Sequence, residues 1–152
     1  MSKSVLFLRI ASGLTFIHAV LHTVGGVFGK TPAGPAAVAV EAMKANQFLL
    51  MGNMRSLWDF YRGLGLGATI FLTADSVLML QMAALAKADA RRLRPMMATF
   101  LVAYAVFSVN SYEYFFAGPV IAELIIVACL GIAIATAGRE ATEIGTAAGV
   151  LE

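Results

Sequence analysis

The sequence predicts an all-α, integral membrane four-helix bundle with an interfacial lid segment between helices 1 and 2. Three observations carry this. The 152 residues are 60% hydrophobic and only 13% charged, whereas soluble domains carry roughly 25% charged residues. Four apolar runs are about as long as the ~20 residues a helix needs to cross a bilayer. Aromatic, glycine and proline clusters separate the runs, as expected where a chain leaves lipid. The length suits a single transmembrane domain, residues 1–152.

The first span is expected at about 5–27. Lys3 and Arg9 ahead of an apolar core mimic a signal peptide. The run is too long for one, however, contains His18 and His22, and is followed by no small-x-small cleavage site. It reads as a retained helix, with Thr15, His18, His22 and Gly25 forming a polar or small stripe that faces other helices. Gly25, Gly26 and Gly29 then loosen its end.

From Thr31 to Ser56 the chain cannot span lipid, because Glu41, Lys44, Asn46 and Gln47 interrupt it. With the apolar Phe48–Met51 patch it reads as an interfacial helix or lid. A soluble helical connector is the alternative.

The second span, 57–85, opens in RSLWDFYRG, where Trp58, Phe60 and Tyr61 make an aromatic belt. GLGLGA (Gly63 to Ala68) is no phosphate loop, since no strand precedes it; its glycines suit close helix contact. A basic turn at 87–95 leads to the third span, 96–116, with Pro95 fitted to a first helical turn. Ala117-Gly118-Pro119 makes a turn before the fourth span, 120–137. The tail, 138–152, is expected to fray.

Lys3, Arg9, Lys87, Arg91, Arg92, Arg94 and Arg139 fall on one side of this layout, and Lys30, Lys44, Arg55 and Arg62 on the other. The excess predicts cytoplasmic termini in a bacterial inner membrane. A net charge of +2 with no basic patch on a polar face argues against nucleic acid as a partner. The lone Cys129, in an apolar run, reads as a small hydrophobe.

Depth along the spans brings polar groups to one outer layer of roughly 10 Å, at ~1.5 Å of rise per residue. His18 and His22 lie late in span one. Trp58, Asp59 and Arg62 open span two. Asn110, Glu113 and Tyr114 close span three, and Glu123 begins span four. Intramembrane ionisable groups are costly and usually face a bundle interior. Asp75, nearer mid-membrane and at a different wheel angle, reads as helix-pairing glue outside this cluster.

Three readings compete. In the first, the layer is a pocket that binds, and converts by acid–base chemistry, a small hydrophobic or lipid-like molecule. His22 is its proton carrier, Glu113 and Glu123 are the carboxylate partners, and Asp59–Arg62 is a polar gate; His18, Asn110, Tyr114 and Trp58 line it. In the second, His18 and His22 share a metal with Glu113 or Glu123. In the third, the chain is a non-catalytic scaffold or subunit whose polar groups hydrogen-bond between helices.

No cofactor is assigned. Bis-histidine haem within one chain is excluded, because neighbours on one helix cannot reach opposite ring faces; a single axial histidine or an intersubunit pair stays open. The lipid bilayer is the expected partner, and glycine-rich faces leave a homodimer open.

HAVLHTVGG, MGNMRSLWDFYRGLGL and the basic turn before span three together resemble a group of uncharacterised small four-span bacterial membrane proteins. The resemblance covers most of the chain and implies the four-span layout without an activity. A fainter likeness is to the emopamil-binding/sterol-isomerase superfamily, whose membrane bundles hold acidic and aromatic residues around a lipid-like ligand. It implies a pocket and transfers no residue role.

Overall fold

A computed structural model describes residues 1–148. The chain is mostly helical, at 83%. Helix α1 (Lys3–Leu21) runs directly into a π-helical turn, His22–Val27. There the Phe28 N–H reaches back five residues to the Thr23 carbonyl, at 3.0 Å, so the expected loosening takes the form of a widened turn. Helix α2 (Pro35–Ala45) starts on a proline that needs no helical N–H partner. Asn46 ends it by donating both its backbone N–H and its side-chain amide to the Ala42 carbonyl.

The next segment departs from the all-α expectation. Strands β1 (Gln47–Leu50) and β2 (Asn53–Ser56) form an antiparallel hairpin, with Phe48 opposite Arg55 and Leu49 opposite Met54. The Phe48–Met51 patch is thus mostly strand. Its two-residue turn places Met51 at φ 49° and Gly52 at φ 83°, the left-handed pair that matches strand twist in a tight hairpin.

Helix α3 (Leu57–Asp89) follows without a break. Asp89 Oδ1 accepts from the backbone N–H groups of Arg91 and Arg92 (3.1 and 3.3 Å) and shapes the 3-10 turn Arg91–Leu93. Helix α4 (Arg94–Tyr114) begins there, with Pro95 in its first turn as expected. Helix α5 (Ala117–Ala148) takes Gly118-Pro119 into its own first turn and continues past residue 137, where the fraying tail was expected. The alanines and glutamates beyond 137 favour helix and no proline stops them. Residues 149–152 of that tail lie outside the described residues.

Four stretches are helical, long and apolar enough to cross a membrane: Lys3–Val27, Leu57–Asp89, Arg91–Tyr114 and Ala117–Ala137. By contacts the chain separates into two units, one of Met1–His18 with the chain from Thr73 onward, the other Ala19–Leu72. Helices α1 and α3 contribute to both.

In the first unit each helix buries one stripe at helical spacing. On α1 it is Ser4, Val5, Leu8, Ala11, Ser12 and Thr15; on α3, Ser76, Met79, Met82, Ala83 and Ala86. On α4 it is Met97, Tyr104, Ser108 and Ser111, and on α5 Glu123, Ile126, Leu130, Ala133 and Ala137. Small residues and serines dominate, while Leu80, Val102, Val106, Leu124 and Ile125 face outward. That inversion suits a bundle whose surroundings are as apolar as its core. In the second unit Val27 and Ser56 are buried, and most large apolar side chains are exposed.

Candidate functional site

In the second unit the start of α3 is fixed by a capping box. The Asp59 N–H donates to Ser56 Oγ (3.2 Å), and Asp59 Oδ2 accepts from the Ser56 N–H (2.8 Å) and hydroxyl (2.9 Å). The carboxylate is therefore turned back onto the helix start. Among the described residues it makes no ion pair with Arg62, whose guanidinium instead lies over the Phe28 ring, 5.3 Å from its centroid. The i, i+3 spacing that suggested an Asp59–Arg62 gate is thus resolved as a cap and a cation–π contact.

Aromatic contacts tie the hairpin and α2 to this turn. Phe48 stacks on Phe60 at 6.0 Å, Trp58 on Tyr61 at 5.3 Å, and Lys44 Nζ sits 5.4 Å above the Trp58 ring. Between the hairpin and the first two turns of α3 lies a cavity of about 410 Å3. Leu50, Met51, Phe60, Gly63 and Leu64 supply its apolar walls, and Asn53, Arg55 and Asp59 its polar rim. Its size and apolar lining fall in the range of small-molecule sites.

His22 belongs to the same unit. Its Nε2 is 3.0 Å from the Gly65 carbonyl; a carbonyl only accepts, so Nε2 carries the proton. A side chain at Gly65 would press against Val27 Cγ2, so this glycine permits the approach the GLGLGA reading expected, whereas Gly63 and Gly67 face open space. Thr23 and Thr69 hydroxyl oxygens meet at 2.9 Å one turn further on. His22 thus links the π turn to the backbone of α3.

The first unit holds the other candidates. Asn110, Glu113 and Tyr114 do share a face of α4, but it is the exposed one, Tyr114 being 77% accessible. Ser111, within that turn, is the residue that is buried. Its hydroxyl donates to Glu123 Oε1 at 2.8 Å. Glu123 is fully buried, and among the described residues its Oε2 has no hydrogen-bond partner. Asp75 accepts from the Tyr104 hydroxyl at 3.3 Å. It thereby joins α3 to α4, in keeping with its reading as glue. Ser12 and Ser76 bond reciprocally between α1 and α3. His18 is half-buried on α1.

Sequence reasoning missed Ser12, Ser76, Tyr104 and Ser111, and with them Arg55 on the cavity rim. The available signal was the recurrence of small hydroxyls at helical spacing inside apolar runs, which marks helix contacts in lipid. Among the described residues no group of three or more histidine, cysteine, aspartate or glutamate side chains gathers to hold a metal ion. Comparison with protein-family models, with characterised proteins and with solved structures gives no match.

Proposed function

We propose that the protein is an integral membrane protein that binds a small hydrophobic or lipid-like molecule in the cavity between the hairpin and the start of α3. The single observation that carries this reading is the cavity itself: about 410 Å3, apolar walls, and a rim bearing Arg55, Asn53 and Asp59. Such a site holds the body of an amphiphile by dispersion and excluded water, and fixes its head by a few polar contacts. The hairpin, with Leu50, Met51, Asn53 and Arg55 on the cavity, acts as its lid. The Lys/Arg distribution supports a lid on the outer face of a bacterial inner membrane, with both termini in the cytoplasm.

Binding is favoured over conversion. The Nε2 proton of His22 is committed to the Gly65 carbonyl, and Glu113 is exposed on α4. The test uses purified protein in nanodiscs of neutral lipid, titrated with a dansyl-labelled fatty acid and followed by fluorescence. Gly63 lines the cavity and has open space around it, so Gly63→Leu fills it. Gly67 also has open space but lies off the cavity, so Gly67→Leu is the matched control. Saturable binding weakened at least about tenfold in Gly63→Leu and unchanged in Gly67→Leu supports the site. Equal binding by both variants removes it.

A second reading, a non-catalytic scaffold or subunit, is favoured by the reciprocal Ser12–Ser76 pair and the Tyr104–Asp75 bond. These polar groups are used up in joining helix to helix. Under this reading the protein shows no saturable binding of the dansyl probe even before substitution.

A further inference from the structure

The cavity leaves one costly group unused. Glu123 sits in the first turns of α5, on the stripe it shares with Ile126, Leu130 and Ala133, and none of its surface is accessible. One carboxyl oxygen is held by the Ser111 hydroxyl, and the other has no partner among the described residues. No lysine or arginine among the described residues belongs to the buried stripes of this unit. Among the described residues the other titratable groups of the same buried region are Asp75 on α3, Tyr104 on α4, Cys129 on α5, and His18 on the α1 face one turn beyond Thr15.

An ionised carboxylate taken wholly out of water with a single hydrogen bond is the most expensive state available to this side chain. A neutral acid in the same place leaves one donor unsatisfied, a far smaller loss. We propose that Oε2 of Glu123 is a proton-binding site, so that the side chain stands in the bundle core as a neutral carboxylic acid whose carbonyl oxygen accepts from Ser111. The step is simple in its balance: one proton taken from water forms the Oε2–H bond, and no other bond changes. The assignment is independent of the cavity of the second unit.

Infrared difference spectroscopy of the protein in nanodiscs at neutral pH reads this directly, through the carbonyl stretch of a protonated carboxyl group. Glu123→Gln is isosteric and keeps an acceptor for Ser111. The wild type is expected to show the band, Glu123→Gln to lose it, and Asp75→Asn to retain it. Ser111→Ala keeps the acid but removes its donor, so the band should persist at a shifted frequency. This arm also stands if Glu123→Gln fails to fold. A wild-type spectrum without the band overturns the proposal, as does a band that survives in Glu123→Gln or is indifferent to Ser111→Ala. An ionised Glu123 whose carboxylate bands respond to sodium or potassium also overturns it, with a metal cation in the proton's place.

Discussion

Ser12 and Ser76 donate hydrogen bonds to each other's backbone across the α1–α3 contact: Ser12 Oγ donates to the Ser76 carbonyl at 2.8 Å, and Ser76 Oγ to the Ser12 carbonyl at 2.9 Å. Each hydroxyl thus satisfies itself on a carbonyl already bonded within its helix. Two helices can then approach closely without leaving a donor in an apolar surround. The next α1 turn repeats the device more weakly, with the Thr15 hydroxyl directed at Met79 Sδ at 3.8 Å.

Removing either hydroxyl should cost about 0.6 kcal/mol and at most about 2 kcal/mol, the range found for polar helix contacts in membranes. Because the two bonds share one geometry, Ser12→Ala and Ser76→Ala should be less than additive. Reversible unfolding of the two single variants and the double variant in mixed micelles checks this. Strict additivity would mean that the two bonds act independently.

At the start of α3, Ser56→Ala removes the acceptor for the Asp59 N–H and the hydroxyl donor to its carboxylate. A loss of about 0.5–2 kcal/mol is expected, as for other N-cap serines. Ser56→Thr should recover most of it. Because the cap also sets the hairpin against the helix, probe affinity should fall with Ser56→Ala. Fluorescence titration and thermal unfolding of the same samples separate the two effects.

Gly65 meets Val27 so closely that a Cβ would lie 3.0 Å from Val27 Cγ2. Gly65→Leu should therefore destabilise by about 1–3 kcal/mol, the usual cost of overpacking. Val27→Ala introduced on top should recover a good part of that loss, although alone it destabilises by leaving a void. A double variant no better than Gly65→Leu would show that the damage comes from the His22–Gly65 bond instead.

A Cβ on Gly29 would overlap the Gly25 carbonyl oxygen, whereas one on Gly13 of α1 would meet nothing. The same change should therefore have opposite signs at the two sites. Gly29→Ala should lower the melting temperature by several degrees, since a backbone carbonyl cannot step aside. Gly13→Ala should be neutral or stabilising by up to about 1 kcal/mol through helix propensity. Circular dichroism melts of the two proteins decide it.

The long helices were legible because lipid leaves a chain few options: uninterrupted apolar runs must form helix. RSLWDFYRG marked the start of α3 through its aromatic belt, while the Ser56–Asp59 cap inside it went unread. The hairpin was not legible, because Gln47–Ser56 lacks the two-residue alternation of a half-buried strand. Its turn also uses methionine where asparagine is usual. At the site, Glu123 announced itself as an expensive residue, but its partner Ser111 did not, since a serine inside a helix can always fall back on its own backbone. Asp59 and Arg62 misled for a different reason: side-chain spacing shows what can meet, while competition from a free backbone N–H decides what does.

Helix α3, at 33 residues, is roughly 50 Å long at ~1.5 Å per residue, well beyond the ~30 Å thickness of a bilayer's hydrocarbon. Charges bound the stretch that lipid can cover. Between Arg62 and Lys87 the helix measures roughly 36 Å, a match reached with moderate tilt. In the proposed membrane setting its opening turns, with the Ser56–Asp59 cap and the apolar hollow beside them, emerge at headgroup depth. If the proposed binding reading holds, a guest molecule slides in laterally from the leaflet, tail first, and never needs to leave the membrane to be captured.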